Sequence, residues 1–110
     1  MDGMKRGELV SIALSGDYGK PRPALVVQSD FFSEHPSVTV LPVTSELRSA
    51  PLFRIEIPPT ADNNLKKLSQ VMVDKIQTVP SEKVGPVFGR LDDTSLLAIN
   101  RALALWLGFA

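Results

Sequence analysis

The chain has 110 residues, the size of one domain, so residues 1 to 110 are expected to form a single unit. Its 12 Lys plus Arg balance 12 Asp plus Glu, which argues against a polyanion binder held by bulk charge alone. With no cysteine, and His35 as the only histidine, disulfides, thiolate zinc sites, thiol nucleophiles and two-histidine sites are excluded. Any chemistry must use Arg, Asp, Glu, Ser, Thr, Tyr or Lys.

The start, Met1-Asp2-Gly3-Met4-Lys5-Arg6, lacks the basic and apolar pattern of a signal peptide, and no apolar run reaches the ~20 residues that span a membrane. The expectation is a cytoplasmic protein without a membrane partner. All nine prolines lie between Pro21 and Pro86, which predicts short strands in the middle of the chain and one unbroken helix at its end.

In chain order, Val10, Ile12 and Leu14 alternate with Ser11 and Ala13 as in a strand, and Ser15-Gly16-Asp17-Tyr18-Gly19 reads as a turn. Ala24 to Val27 and Val38 to Val43 are rich in β-branched residues and predict core strands, separated by the turn His35-Pro36-Ser37. Phe53, Ile55 and Ile57 alternate cleanly with Arg54 and Glu56, and a turn follows over Pro58 to Asn64. Val71 to Val79 predicts one further strand with weaker alternation. After Asp92 or Asp93 as a cap, Leu96, Ile99, Leu103, Trp106 and Leu107 recur at helical spacing, with Gly108 as the stop. The fold class predicted is mainly β with helices (α+β), a small curved antiparallel sheet or barrel with a C-terminal helix.

Arg22 stands between Pro21 and Pro23. Two fixed φ angles hold that backbone extended, so its planar guanidinium projects from a stiff platform, a form suited to phosphate; a solvated arginine at a strand entrance is the plainer alternative. Thr44 and Ser45 end a strand and can aim a hydroxyl outward, or simply cap the following turn, Glu46-Leu47-Arg48. Asp17 can take a proton, orient the arginine or serve its own turn. Asp74 and Lys75 are adjacent, so on a strand they would face opposite ways without pairing. His35 reads as an exposed loop residue and Trp106 as part of the packed helical stripe.

Several segments in order, Arg6-Gly7-Glu8-Leu9-Val10, Lys20-Pro21-Arg22-Pro23-Ala24-Leu25-Val26-Val27, Leu41-Pro42-Val43-Thr44-Ser45, Ser69 to Val79, and Gly89-Arg90-Leu91 with Trp106-Leu107-Gly108-Phe109, resemble the MazF/PemK family of toxin endoribonucleases across nearly the whole chain. The resemblance implies an SH3-like (CcdB/PemK-like) β-barrel, a homodimer, restraint by a cognate antitoxin, and metal-independent cleavage of single-stranded RNA without a cofactor. It matches Arg22 to the family's arginine before proline, Thr44 to its strand-end threonine, Asp17 to the acid of its first loop, and Asp74 to an acid of its later strand.

The implied chemistry suits the side chains available. RNA supplies its own nucleophile, the 2′-hydroxyl, so the protein must hold the phosphate, stabilise the phosphorane and manage two protons. Arg22 would stabilise charge on the phosphoryl oxygens and Thr44 would donate to one of them. With a pKa above ~12, arginine is a poor base, so Asp17 is preferred for the proton, with water or Asp74 behind it. Lys20, Arg22, Arg48 and Lys75 could line a basic groove, with Ser45 and Asp74 beside it and Tyr18 as a stacking ring. A non-enzymatic gyrase poison of the same fold, acting through a tail containing Trp106 and Gly108, is the alternative, and an interaction module without catalysis is the blander one.

Overall fold

A computed structural model describes residues 3–13 and 20–110 of the chain. It contains seven strands, β1 (Glu8–Ile12), β2 (Arg22–Val26), β3 (Ser37–Thr44), β4 (Arg54–Ile57), β5 (Ser69–Met72), β6 (Gln77–Pro80) and β7 (Val84–Arg90), followed by one helix, α1 (Asp93–Leu107). Every pairing is antiparallel, and the order is β4-β5-β3-β2-β1-β7 with β6 also on β3.

The apolar runs become clear once both faces of the sheet are followed. Leu9, Leu25 and Leu41 stand side by side across β1, β2 and β3 and share a buried cluster with Ile99, Ala102 and Leu103 of α1. Their neighbours Val10, Ala24, Val26 and Val40 join Ile12, Val38 and Val79 in a second cluster. Each central strand therefore has a covered residue on both faces, which is why Ala24 to Val27 is continuously apolar instead of alternating.

The long strand β3 changes partners along one edge. Val38 pairs with Val79 of β6, whereas Val43 pairs with Val71 of β5. Pro42 lies between these ladders, a position where a missing N–H costs little. The expected single strand from Val71 to Val79 is thus two strands, broken by a 3-10 turn over Val73–Lys75. The turn brings Lys75 Nζ within 2.9 Å of Asp74 Oδ2. That corrects the expectation that these two cannot pair, because they lie on a tight turn and not on opposite faces of a strand.

The α+β class holds, but the expected barrel is not closed by strand pairing. The end strands β4 and β7 are not hydrogen-bonded to each other; the segment between β4 and β5 bridges them instead. Arg90 N–H donates to Asp62 C=O at 2.9 Å and Asn64 Nδ2 donates to Phe88 C=O at 2.6 Å. Asn63, buried in this segment, accepts from Thr60 N–H and Leu65 N–H and donates to Pro58 C=O. The segment is therefore organised from within, and Asn64 takes a positive φ of 54°, a conformation asparagine tolerates better than most residues. Strand β7 was not apparent from the sequence, since Gly85, Pro86 and Gly89 interrupt it. It is an edge strand with register shifts against β1, where such residues are accommodated.

Helix α1 has the expected ends. Asp92 accepts from Ser95 N–H, and Gly108 adopts the left-handed conformation at φ 86°. Its apolar stripe is covered only in part: Ile99, Ala102 and Leu103 are buried, whereas Trp106 is 50% exposed and Leu107 48%. Trp106 packs on the Phe53 ring just ahead of β4, with centroids 5.9 Å apart, so packing explains only one side of it.

Candidate functional site

Arg22 opens β2 opposite Ile12 of β1, and its side chain stands in solvent. Thr44 closes β3 opposite Gln70 of β5. Both line a groove of about 620 Å3, together with Ser45, Glu46, Lys66 and Lys67 above an apolar floor that includes Ile12, Val43, Met72 and Phe88. Two residues far apart in sequence meet there because β2 and β3 are adjacent antiparallel strands, so the start of one lies beside the end of the other.

The Thr44 hydroxyl oxygen accepts the Glu46 N–H at 3.0 Å. It therefore caps the following turn, as the plainer sequence reading has it, and this bond leaves the hydroxyl hydrogen available to donate. Past Glu46 the loop is tied to the sheet. Arg54 Nη1 donates to Glu46 C=O at 2.9 Å and to Gln70 Oε1 at 3.0 Å. Gln70 in turn accepts from Arg48 N–H at 3.0 Å and donates to Arg48 C=O at 2.9 Å.

Electrostatically the groove is uneven in the way a neutral chain requires if it is to attract an anion. Among the described residues, Arg22, Lys66 and Lys67 outnumber Glu46 in its charged lining. The resulting field is local and needs no overall excess of cations.

Of the other residues singled out from sequence, Arg48 lines a separate, smaller depression and lies 3.4 Å from Glu46 Oε1. Asp74 and Lys75 sit on the 3-10 turn, outside the groove lining. One Asp74 oxygen meets Lys75 and the other is buried without a hydrogen-bond partner. Lys20 is exposed just ahead of Pro21, and Asp17 and Tyr18 lie outside the described residues. His35 is exposed, as expected, and its Nδ1 accepts from Ser37 N–H at 3.1 Å.

Sequence reasoning overlooked Lys66, Lys67 and Glu46. The lysine pair carried a usable signal, two adjacent cations one residue past the turn Asp62-Asn63-Asn64. Only the folding of that turn over β7 puts them at the groove.

Residues 5–107 match the model of PemK-like, MazF-like toxins of type II toxin-antitoxin systems. Over 108 residues the chain is 44% identical to a Mycolicibacterium smegmatis protein named probable endoribonuclease MazF, spanning 97% of this chain and 99% of that protein. Among solved structures, it is similar to an endoribonuclease in complex with its cognate antitoxin from a mycobacterial species. The TM-score is 0.81 at 23% identity, over 98% of both chains, a likeness that shows the fold alone. The Mycobacterium tuberculosis toxin MazF-mt6 gives a TM-score of 0.79 at 25% identity, over 92% of this chain and 96% of that one. A family model spanning nearly the full length and a relative of this identity lead to one conclusion: the chain belongs to the PemK-like, MazF-like family of toxins of type II toxin-antitoxin systems.

Proposed function

We infer that this toxin is an endoribonuclease that lays single-stranded RNA along the groove and cleaves it by attack of the 2′-hydroxyl on the adjacent phosphorus. The observation that carries this reading is the meeting of Arg22 and Thr44 at one groove whose charged lining, among the described residues, is mostly cationic. The 44% identity to a probable endoribonuclease supports it over a gyrase poison.

In the proposed reaction the 2′-oxygen forms a bond to phosphorus, and the bond to the 5′-oxygen breaks. The products are a 2′,3′-cyclic phosphate and a 5′-hydroxyl. Arg22 presents two N–H donors to the non-bridging oxygens, where charge builds in the phosphorane, and the Thr44 hydroxyl donates to one of them. Asp17 is proposed to take the 2′-proton and a water to supply the proton of the leaving 5′-oxygen. This route needs neither metal nor cofactor, because the nucleophile comes with the substrate and the charge is met by a guanidinium. Lys20, Lys66 and Lys67 would hold flanking phosphates and Tyr18 would stack a base, with Ser45 beside Thr44. Asp74, Lys75 and Arg48 would act from the margins of the bound strand.

A cognate antitoxin that occupies the same groove would compete with RNA. A second copy of the chain would find an apolar face in Trp106, Leu107 and Phe109, which stand exposed at the end of α1. No helix of the described residues is long and apolar enough to cross a membrane, and the cytoplasm, where RNA is at hand, is the proposed site of action.

The test is cleavage of a single-stranded RNA pool in excess EDTA with the 5′ ends mapped. Wild type should cut, and Arg22→Ala should lose cutting while its circular dichroism and melting stay close to wild type. An RNA pool left intact by the wild-type protein refutes the reading.

A further inference from the structure

Among the described residues, Glu46 is the one acid of a groove lining that also includes Arg22, Lys66 and Lys67. A carboxylate opposes phosphate there, and with proton transfer assigned to Asp17 in the proposed reaction, Glu46 is left for a different ligand group. Its backbone is held at both peptide ends, the N–H by Thr44 Oγ1 at 3.0 Å and the C=O by Arg54 Nη1 at 2.9 Å. The carboxylate itself is free by comparison. It is 77% exposed and, among the described residues, meets only the Arg48 guanidinium, 68% exposed, at 3.4 Å. An exposed pair of that geometry contributes little and is readily exchanged for another donor. A fixed root with an available acceptor head is what a residue needs in order to read a ligand, since the root supplies precision and the head has no structural duty.

We propose that Glu46 determines base specificity by accepting hydrogen bonds from the Watson–Crick edge of an unstacked guanine in the bound RNA. This rests on the reading of the groove as an RNA cleft. Guanine offers N1–H and N2–H side by side, one for each carboxylate oxygen. Adenine and cytosine each place a ring acceptor next to their single amino group, and uracil flanks its N3–H with two carbonyls, so each of these sets a lone pair against the carboxylate. The loop that carries Glu46 also carries Thr44, so the base read by Glu46 would lie within a nucleotide or two of the scissile phosphate.

The experiment is cleavage of single-stranded RNA randomised around the cut, with wild type, Arg22→Ala and Glu46→Gln, followed by mapping of the cut ends. Wild type should show one position near the cut at which guanine dominates. Glu46→Gln replaces one acceptor with a donor, and the ratio of cleavage at guanine to cleavage at the other bases should fall about tenfold to a hundredfold at that position alone. No cutting by wild type would refute the RNA reading itself. Cutting by wild type without a guanine preference, or with a preference that Glu46→Gln leaves unchanged, overturns the role of Glu46 and leaves the RNA reading standing. Equal slowing at every sequence also overturns it, since that would place Glu46 in proton transfer and not in base selection.

Discussion

Gln70 holds both peptide groups of Arg48: its Oε1 accepts the Arg48 N–H at 3.0 Å, and its Nε2 donates to the Arg48 C=O at 2.9 Å. The side-chain amide thus acts as one more residue of a neighbouring strand and continues the β3–β5 ladder past Thr44, where backbone pairing stops. Gln70 is 3% exposed, so the brace is rigid, and Arg54 shares its Oε1.

Gln70→Leu fills the same space but leaves Arg48 and Arg54 without these partners. Because the loop itself is open to water, the expected loss is about 1–2 kcal/mol, seen as a lower urea midpoint at an unchanged slope. At a temperature where the variant is fully folded, RNA cleavage should fall through kcat more than through KM, because the wall that bears Thr44 is no longer held. A variant with wild-type stability and wild-type cleavage would show that the brace positions nothing.

Gln70 also marks the limit of what the sequence made legible. Arg22 and Thr44 could be singled out because prolines and strand ends bear visibly on them. Gln70 sits inside an expected strand, and nothing local distinguishes a glutamine that braces a loop from one that faces solvent. Core strands and the helix caps were readable since period, Asp92 and Gly108 act within a few residues. The split of Val71 to Val79 was not, because the turn at Asp74 follows from β3 changing partners, a long-range event. Nor was the open sheet, whose gap is filled by Asp62 and Asn64 reaching β7 across a distance no local pattern encodes.

Thr44 serves the turn and, as proposed, the substrate with the same oxygen. Thr44→Val keeps the shape and removes both the acceptor for Glu46 N–H and the donor for phosphate, whereas Thr44→Ser keeps both. Cleavage by the valine variant should drop about a hundredfold to a thousandfold in kcat, the range for losing a donor to a developing oxyanion. The serine variant should stay within about tenfold of wild type. Equal rates for valine and wild type in a single-turnover assay would remove Thr44 from the chemistry.

Gly89 has no room for a side chain. A Cβ there would lie 2.2 Å from the Asn63 carbonyl oxygen, a backbone atom that no rotamer change can move. Gly89→Ala should therefore push the bridging segment away from β7 at a cost of about 1–3 kcal/mol. Hydrogen exchange should then speed up at Arg90 N–H, which donates to Asp62 C=O, more than at the central pair Leu9 and Leu25. Protection unchanged at Arg90 would mean that the loop is not what covers this edge.

The cap of α1 carries a pH dependence whose sign follows from its hydrogen bonds. The hydrogen bond to the Ser95 side chain is the largest influence; it outweighs the opposing desolvation and, with weaker backbone hydrogen bonds added, holds the Asp92 carboxyl below its ordinary value. A carboxyl with a lower pKa in the folded than in the unfolded state contributes stability that is complete above the unfolded value of about 3.9 and lost as pH falls through the folded one. Asp92→Asn retains a capping oxygen at every pH but no charge to titrate. The melting temperature of wild type minus that of Asp92→Asn should hence be level near neutrality and decline as pH is lowered from about 5 to 3. A difference that stays constant over that interval would show that the charge of Asp92, as distinct from its capping oxygen, does nothing for the helix.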